Sequence, residues 1–304
     1  MPCYQPLVGY RGEGGKLTFK DTGGLNPMEV TCGNCIGCRL DRSKSWAIRC
    51  VHEAQLHQEN AFITLTYDDD HLPEDRSVNK KHFQRFMKDL RQKYPTTRIR
   101  FFHCGEYGEQ HHRPHYHALI FGFNWADRRI WSTRRGNDTY TSKELQNLWK
   151  KGFATIGDVT WQSAAYTARY IVKKINGEMA DDHYLRIDKS TGEAWKVQPE
   201  YTTMSRRPGI GSEWLERFWR DVYPRDSVII NGRQYKPPRY YDKWLAENHP
   251  DLLEEVLAAR QEFADQHHQD NTDQRLATRE FVQKDKAQKF LKRAYEDNSY
   301  GRDS

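Results

Sequence analysis

The sequence predicts an α+β fold with a central antiparallel sheet and flanking helices. Two observations carry this. Strand-like and helix-like segments mix along the 304 residues without a regular strand–helix–strand rhythm. Two strand-like segments, 98–106 and 115–122, are separated by eight residues, which can form the loop of a hairpin. Taken in order, residues 36–58 read as a helix, with Leu40, Ala47, Ile48, Val51 and Ala54 at helical spacing. Phe62–Tyr67 is a β-branched strand closed by Asp68–Asp70 and Pro73. Residues 79–94 form an amphipathic helix with Asn79 as N-cap and Pro95 as its stop. A helix over 141–152 opens on Thr141 or Ser142, a strand covers 153–159, and a helix covers 163–175. Residues 176–212 read as loop. A helix follows Trp214, then a hairpin around Asn231-Gly232, then one long polar helix from Asp251 to Tyr295. The expected organisation is a Cys-rich N-terminal segment and helix (1–58), a core (59–212) and a mainly helical C-terminal extension (213–304).

The chain carries 48 Lys+Arg against 42 Asp+Glu, a net charge of +6. No segment approaches the roughly 18 apolar residues of a membrane span. No charged start leads into an apolar run, so no secretory signal is expected and a reducing compartment is. Charge is uneven: from Asp251 onward there are nine basic and twelve acidic residues, −3, which leaves +9 for the rest. Between Arg76 and Phe102 nine basic residues face one acid, Asp89. Within that block Lys80, Lys81, Arg85 and Lys88 alternate with His82, Phe83 and Phe86. A phosphate-binding surface and a solvated helix face are the two readings.

Three of the six cysteines fall in CGNCIGC: Cys32, Cys35 and Cys38. Two-residue gaps let successive thiolates turn onto one metal, and Zn(II) takes four such ligands. Cys3 is the natural fourth. An iron–sulfur cluster and a set of unligated thiols are the competing readings.

The segment CGEYGEQHHRPHYHALIFG holds the next constellation. On a strand, His115 and His117 share a face, with Cα atoms roughly 6.5–7 Å apart. If 98–106 and 115–122 pair as a hairpin, Glu106 lies opposite His115 and Cys104 opposite His117, so Glu106 joins the histidines. Two imidazoles and a carboxylate can hold a divalent ion with open positions. Glu109, Gln110, His111 and His112 substitute if the register differs. A strand histidine that is merely a satisfied polar group is the alternative.

In SAAYTARYIVKKI, counting about 100° per residue from Tyr166, Tyr170 falls at about 40° and Lys173 at about 340°, one narrow stripe. Ala164, Ala168, Ile171, Val172 and Ile175 fall between about 140° and 240°, on the opposite side. The apolar face is therefore separate, and the tyrosines are either a wet surface stripe or nucleophiles presented to a site with Lys173 supplying charge.

Together these residues resemble the HUH endonucleases that initiate rolling-circle replication, and most nearly the initiators of gokushovirus-type microviruses. FITLTYDDDHLP looks like their first motif, RPHYHALIFG contains the His-hydrophobe-His second, and YTARYIVKK looks like the two-tyrosine third. CGNCIGCR and MSRRPGIG (204–211) are also similar. The likeness covers about residues 1–245. It departs at Arg169, where related initiators can carry Lys.

The resemblance implies an HUH nuclease-like sheet with the histidines on a central strand, Thr64 and Thr66 facing the site. It implies an endonuclease and strand transferase that nicks one origin strand, with Tyr170 or Tyr166 taking a 5′-phosphotyrosine and leaving a free 3′-hydroxyl. His115, His117 and Glu106 would hold Mg or Mn. Lys80, Lys81, Arg85, Lys88 and Arg169 would bind DNA, and Trp125, Trp131 or Trp161 would stack bases. The implied partners are single-stranded origin DNA and a host helicase and DNA polymerase, with no membrane, in the cytoplasm of a bacterial host. Two other functions fit the residues: a non-catalytic zinc-containing nucleic-acid-binding protein, and a plasmid initiator, relaxase or transposase with the same chemistry.

Overall fold

The computed structural model describes residues 3–12, 17–20, 27–108, 111–134, 136–173, 179–187 and 191–299, without the side chains of 170–173, 179 and 290–299. In chain order the elements begin with β1 (Leu7–Arg11), β2 (Leu17–Thr18), β3 (Pro27–Val30), α1 (Ile36–Ala54), β4 (Asn60–Thr66) and α2 (Lys80–Lys93). Next come β5 (Arg100–Tyr107), β6 (Pro114–Phe121), β7 (Arg129–Arg134), β8 (Asn137–Thr141), α3 (Lys143–Trp149), β9 (Ala154–Gly157) and α4 (Trp161–Lys173). The chain continues with α5 (Met179–Tyr184), β10 (Leu185–Ile187), β11 (Ala194–Lys196), β12 (Tyr201–Met204) and α6 (Ser212–Val222). It closes with β13 (Val228–Ile230), β14 (Arg233–Tyr235), α7 (Arg239–Asn248), α8 (Pro250–Gln266) and α9 (Asp273–Ser299).

The chain divides into two compact units, residues 1–42 with 254–304, and residues 43–253. In the first, β1 lies between β2 and β3 in an antiparallel sheet. Gln5 Nε2 donates to the buried Glu280 carboxylate of α9 at 2.9 Å, which joins its two distant segments. The second unit holds a seven-stranded sheet in the order β12-β5-β6-β4-β9-β8-β7, and each neighbouring pair is antiparallel.

The period-two alternation of strands sorts its side chains onto two faces. Ile63, Leu65, Tyr116, Ala118 and Ile120 face one side and are buried with Phe83, Phe86 and Leu90 of α2 and Leu145 and Trp149 of α3. Each large apolar side chain so buried contributes about 1.5–3 kcal/mol. On the other side Phe102, Leu119 and Phe121 pack against Ala47 and Cys50 of α1 and Ala164 and Ala168 of α4. Ala164 and Ala168 bring only methyl groups to this contact, and Trp161 packs at its edge.

Local chemistry sets the ends of these elements. The Asn79 side chain accepts from Lys81 N at 2.9 Å and caps α2, which stops before Pro95. Ser142 caps α3 by accepting from Leu145 N at 3.0 Å. α4 starts at Trp161, earlier than expected, because Thr160 and Ser163 exchange hydrogen bonds, Thr160 N to Ser163 Oγ at 2.8 Å and Ser163 N to Thr160 Oγ1 at 3.2 Å. The turn between β13 and β14 has positive φ at both Asn231 and Gly232, as a two-residue hairpin needs. The segment 204–211 is anchored on α1: Arg49 Nε donates to Ile210 O at 2.9 Å, and Gly211 N donates to Glu53 Oε2 at 2.8 Å. Gly211 sits at φ +74°, where a Cβ would come within 3.0 Å of the Tyr241 hydroxyl.

Several expectations are corrected. α1 ends at Ala54, short of residue 58. The stretch read as loop contains α5, β10, β11 and β12, and β12 joins the edge of the main sheet. The helix expected from Asp251 to Tyr295 is two helices, α8 and α9. Thr272 is extended (φ −62°, ψ 151°) and its carbonyl receives Leu276 N at 2.9 Å, so a new helix starts there instead of the old one continuing. No helix among the described residues is long and apolar enough to cross a membrane.

Candidate active site

β5 and β6 pair with Glu106 opposite His115 and Cys104 opposite His117, the register that the spacing predicts. The intervening loop is shorter than expected, because Tyr107 and Pro114 also pair. The side chains converge: His115 Nε2 is 2.9 Å and His117 Nε2 is 3.0 Å from the same oxygen, Glu106 Oε1. Glu106 and His117 are buried and His115 is partly exposed. Burial raises the Glu106 carboxyl, but hydrogen bonds and charge from His115 and His117 outweigh it and hold the group well below the usual carboxylate range.

Each ring is oriented through its second nitrogen. His115 Nδ1 lies 3.1 Å from the Arg113 carbonyl. A carbonyl only accepts, so Nδ1 carries the hydrogen and a neutral ring turns its Nε2 lone pair toward Glu106. His117 Nδ1 is 2.9 Å from Thr64 Oγ1, and Phe62 stacks on the same ring with centroids 5.6 Å apart. Phe62, Thr64 and Thr66 share the site face of β4, while Ala61, Ile63 and Leu65 are buried on the other. Lone pairs converging on a carboxylate require positive charge between them, either imidazole protons or a cation. The donor set fits a cation: a six-coordinate divalent ion with bonds of about 2.1 Å places adjacent donors about 3.0 Å apart, close to the distances here.

α4 carries the tyrosines past this group. The Tyr166 hydroxyl is 3.4 Å from His117 Nε2, its ring meets the imidazole edge-on with centroids 4.9 Å apart, and the residue remains 36% exposed. Tyr170 and Lys173 fall on the next turns of α4, and their side chains lie outside the described residues. Arg169 is partly buried on the same helix.

Other expected residues sit elsewhere. Lys80, Lys81, Arg85 and Lys88 are exposed along α2, whose apolar side covers the opposite face of the sheet. Lys80 Nζ lies 4.9 Å from the Tyr201 ring centre and Arg85 pairs with Asp89 at 3.6 Å. Trp125 is 1% exposed and cannot stack on a base. Trp161 packs against Tyr235 with ring centroids 5.0 Å apart. Glu109 and Gln110 lie outside the described residues, and His111 and His112 are exposed on the β5–β6 loop. Phe62 was missed by sequence reasoning, although its two-residue step to Thr64 and Thr66 places it on the site face.

In the other unit Cys3, Cys32, Cys35 and Cys38 form a second group, with sulfur atoms within 4.8 Å of one another and Cys32 Sγ 4.0 Å from Cys38 Sγ. Four thiolates around a tetrahedral zinc at about 2.3 Å would stand about 3.8 Å apart, so the donor set fits. Backbone amides point at the sulfurs: Tyr4 N to Cys35, Cys32 N to Cys3 and Cys35 N to Cys32, each at 3.3 Å. Burial opposes the Cys35 thiolate, but hydrogen bonds from the amides of Tyr4 and Cys38 and from the Cys38 and Cys32 thiols together outweigh it and lower the thiol to about 7. Burial raises Cys3.

A family model described as replication-associated protein ORF2/G2P matches residues 60–175. The replication-associated protein VP4 of Bdellovibrio phage phiMH2K is 34% identical over 263 residues, covering 83% of this chain and 79% of the relative. The replication-associated protein ORF2 of Spiroplasma virus 4 is 34% identical over 287 residues, 84% of this chain and 85% of the relative. The chain belongs to this family of phage replication-associated proteins. A further member, ORF4 of Chlamydia phage 1, is 29% identical over 242 residues, 77% of this chain and 56% of its own length. No solved structure matches the chain. The residues matched by the family model include Glu106, His115, His117, Tyr166, Tyr170 and Lys173, and exclude the four cysteines.

Proposed function

We propose that this protein initiates rolling-circle replication by nicking one strand of an origin through a covalent tyrosine intermediate. The observation that carries the reading is the Tyr166 hydroxyl set against the Glu106–His115–His117 group, in a chain whose relatives are named replication-associated proteins. An antiparallel sheet with two histidines on an interior strand and a tyrosine helix beside it is consistent with an HUH nuclease core within 59–212. The segments 1–58 and 213–304 would supply the knuckle and the helical extension.

Glu106, His115 and His117 are assigned to a divalent ion, Mg(II) or Mn(II), which when bound supplies Lewis-acid polarisation of a phosphate oxygen. The Arg113 carbonyl, Thr64 and Phe62 hold the two imidazoles in place for it. The phenolic oxygen of Tyr166 or Tyr170 attacks phosphorus, forming a tyrosine ester to the 5′ side. The phenol gives up its proton as the bond to the 3′ oxygen breaks, and that oxygen takes up a proton and leaves as a 3′-hydroxyl, so protons balance. One phosphate ester replaces another, so the linkage is kept for later rejoining without ATP. Two tyrosines one turn apart suit successive cleavage and joining. Lys173 is assigned to charge stabilisation and Arg169 to the DNA backbone. The exposed lysines and arginines of α2 offer phosphate contacts on the reverse of the sheet, away from the scissile bond. A free 3′-hydroxyl calls for a host polymerase and helicase in the bacterial cytoplasm, and the four cysteines are assigned to a structural zinc.

Purified protein with Mn(II) is expected to cleave a single-stranded origin oligonucleotide. Changing both His115 and His117 to Ala is expected to abolish cleavage and leave salt-sensitive binding. Retained cleavage by that variant overturns the metal assignment.

A further inference from the structure

The sheet face that carries the histidines continues beyond them toward its far edge. Thr66 pairs with His115. The Phe153 carbonyl then accepts from both Thr66 N, at 2.9 Å, and Thr66 Oγ1, at 2.8 Å. Ala154 and Ile156 are buried on the α2 side of the sheet. Alternation therefore turns Phe153 and Thr155 to the face that holds His115. The Phe153 ring meets that of Trp131, on edge strand β7, with centroids 5.4 Å apart. Both rings are open to solvent, Trp131 at 63% and Phe153 at 42% exposure.

Two large exposed rings in contact make one contiguous apolar patch, the kind of surface that marks an interaction site. The charge around them selects the partner. Residues 128–134 carry Arg128, Arg129 and Arg134, and residues 150–153 carry Lys150 and Lys151. Arg128 pairs with Asp158 at 3.7 Å, and Asp68 and Asp138 adjoin Lys151 and Thr133, which leaves Arg129, Arg134, Lys150 and Lys151 as the basic groups offered to a polyanion. Unpaired nucleotides combine that charge with flat apolar faces that suit the two rings. The distance also suits. From β6 across β4 to β9, beside which Phe153 stands, is two strand spacings, about 10 Å, and Trp131 on β7 lies further out. The nearer ring is thus about three nucleotides away at the roughly 3.4 Å rise of a stacked strand.

We propose that Trp131 and Phe153 form a stacking platform for unpaired bases of single-stranded DNA, with Phe153 about three nucleotides from a phosphate held at Glu106, His115 and His117 and Trp131 further along the strand. The location relative to the scissile phosphate rests on the function proposed above, and the stacking itself does not. Thr66 is the positioning residue, since its two hydrogen bonds fix the backbone that presents Phe153.

The test is a binding titration of the full chain with a labelled single-stranded oligonucleotide of about 16 nucleotides, in EDTA so that no cleavage intervenes. Trp131→Ala and Phe153→Ala are each expected to weaken binding about 5- to 150-fold. The dependence on salt should keep its slope, because no ionic contact is lost. Trp131→Phe should recover much of the affinity, and Phe281→Ala, which removes a still more exposed ring in the other unit, should bind like the wild type. Unchanged affinity in Trp131→Ala and Phe153→Ala overturns the platform. So does sedimentation of the wild type as a dimer that Trp131→Ala dissociates, because the rings would then be a self-association surface. These outcomes leave the nicking chemistry untouched; a wild type that binds the oligonucleotide but does not cleave it with Mn(II), while Trp131→Ala and Phe153→Ala bind more weakly, would count against the nicking chemistry and leave the platform standing.

Discussion

Thr64→Val isolates the support of the metal group from the group itself. Thr64 Oγ1 lies 2.9 Å from His117 Nδ1, on the side of the ring away from Glu106. Valine keeps the shape and the strand preference but leaves a buried ring nitrogen without this partner, so the fold should lose about 1–3 kcal/mol. What disappears is the hydrogen bond that orients the imidazole, and such outer partners are worth about 10- to 100-fold in metal affinity. Phe62 still stacks on the ring and Tyr166 still meets its edge, so the expected loss is nearer the lower limit, about tenfold, or about 1.4 kcal/mol. The assay is calorimetric titration with Mn(II), with a urea midpoint to confirm the fold. Thr66→Val is the control, because the Thr66 hydroxyl donates to Phe153 O and not to a histidine, and its Mn(II) affinity should match the wild type. Equal Mn(II) affinity in wild type and Thr64→Val would refute the argument that Thr64 holds His117 in place.

Three further outcomes are expected. His52 is buried against Trp214 and hydrogen-bonded to the Tyr241 hydroxyl at 2.7 Å, and burial lowers it to about 3. The unfolded chain protonates it near 6.5 while the folded chain does not, so its contribution is intact above about pH 6.5 and falls by about 1.4 kcal/mol per pH unit below that, down toward 3. Between pH 6.5 and 5 the wild type should therefore lose about 2 kcal/mol more stability than His52→Gln in urea titrations, and equal losses would contradict this. Gly152 sits at φ +142°, where a Cβ would come within 2.3 Å of Asp68 N. Gly152→Ala should destabilise the protein by at least about 2 kcal/mol, and a smaller shift in urea midpoint would count against this packing of Asp68 and Gly152. Elemental analysis should find one zinc per chain that is lost in Cys38→Ser. A visible iron–sulfur absorption, or zinc retained in that variant, would remove the tetrahedral thiolate site.

Much of the site was legible because a strand's period of two is rigid. Once 98–106 and 115–122 are read as a hairpin, Glu106 must face His115, and the observed pairing has that register. Caps such as Asn79 and Ser142, and the Asn231-Gly232 turn, were legible because each is a local hydrogen bond or a local φ. Less was readable where distant segments decide. β12 is a short strand whose pairing with β5 comes from residues about a hundred positions away. The gathering of residues 1–42 with 254–304 leaves no local pattern. Burial of Trp125 and the position of the basic face of α2 on the reverse of the sheet depend on how elements stack, which composition does not encode. The break at Thr272 was hidden because polar residues on both sides continue a helical pattern.

The central claim is that a tyrosine of α4 becomes covalently joined to DNA beside the Glu106–His115–His117 group. Peptide mapping by mass spectrometry after incubation with Mn(II) and single-stranded origin DNA tests it most directly. The account predicts a nucleotide adduct on the peptide containing Tyr166 and Tyr170, absent when both are changed to Phe. An adduct on any other residue, or one that persists in the double variant, would contradict it.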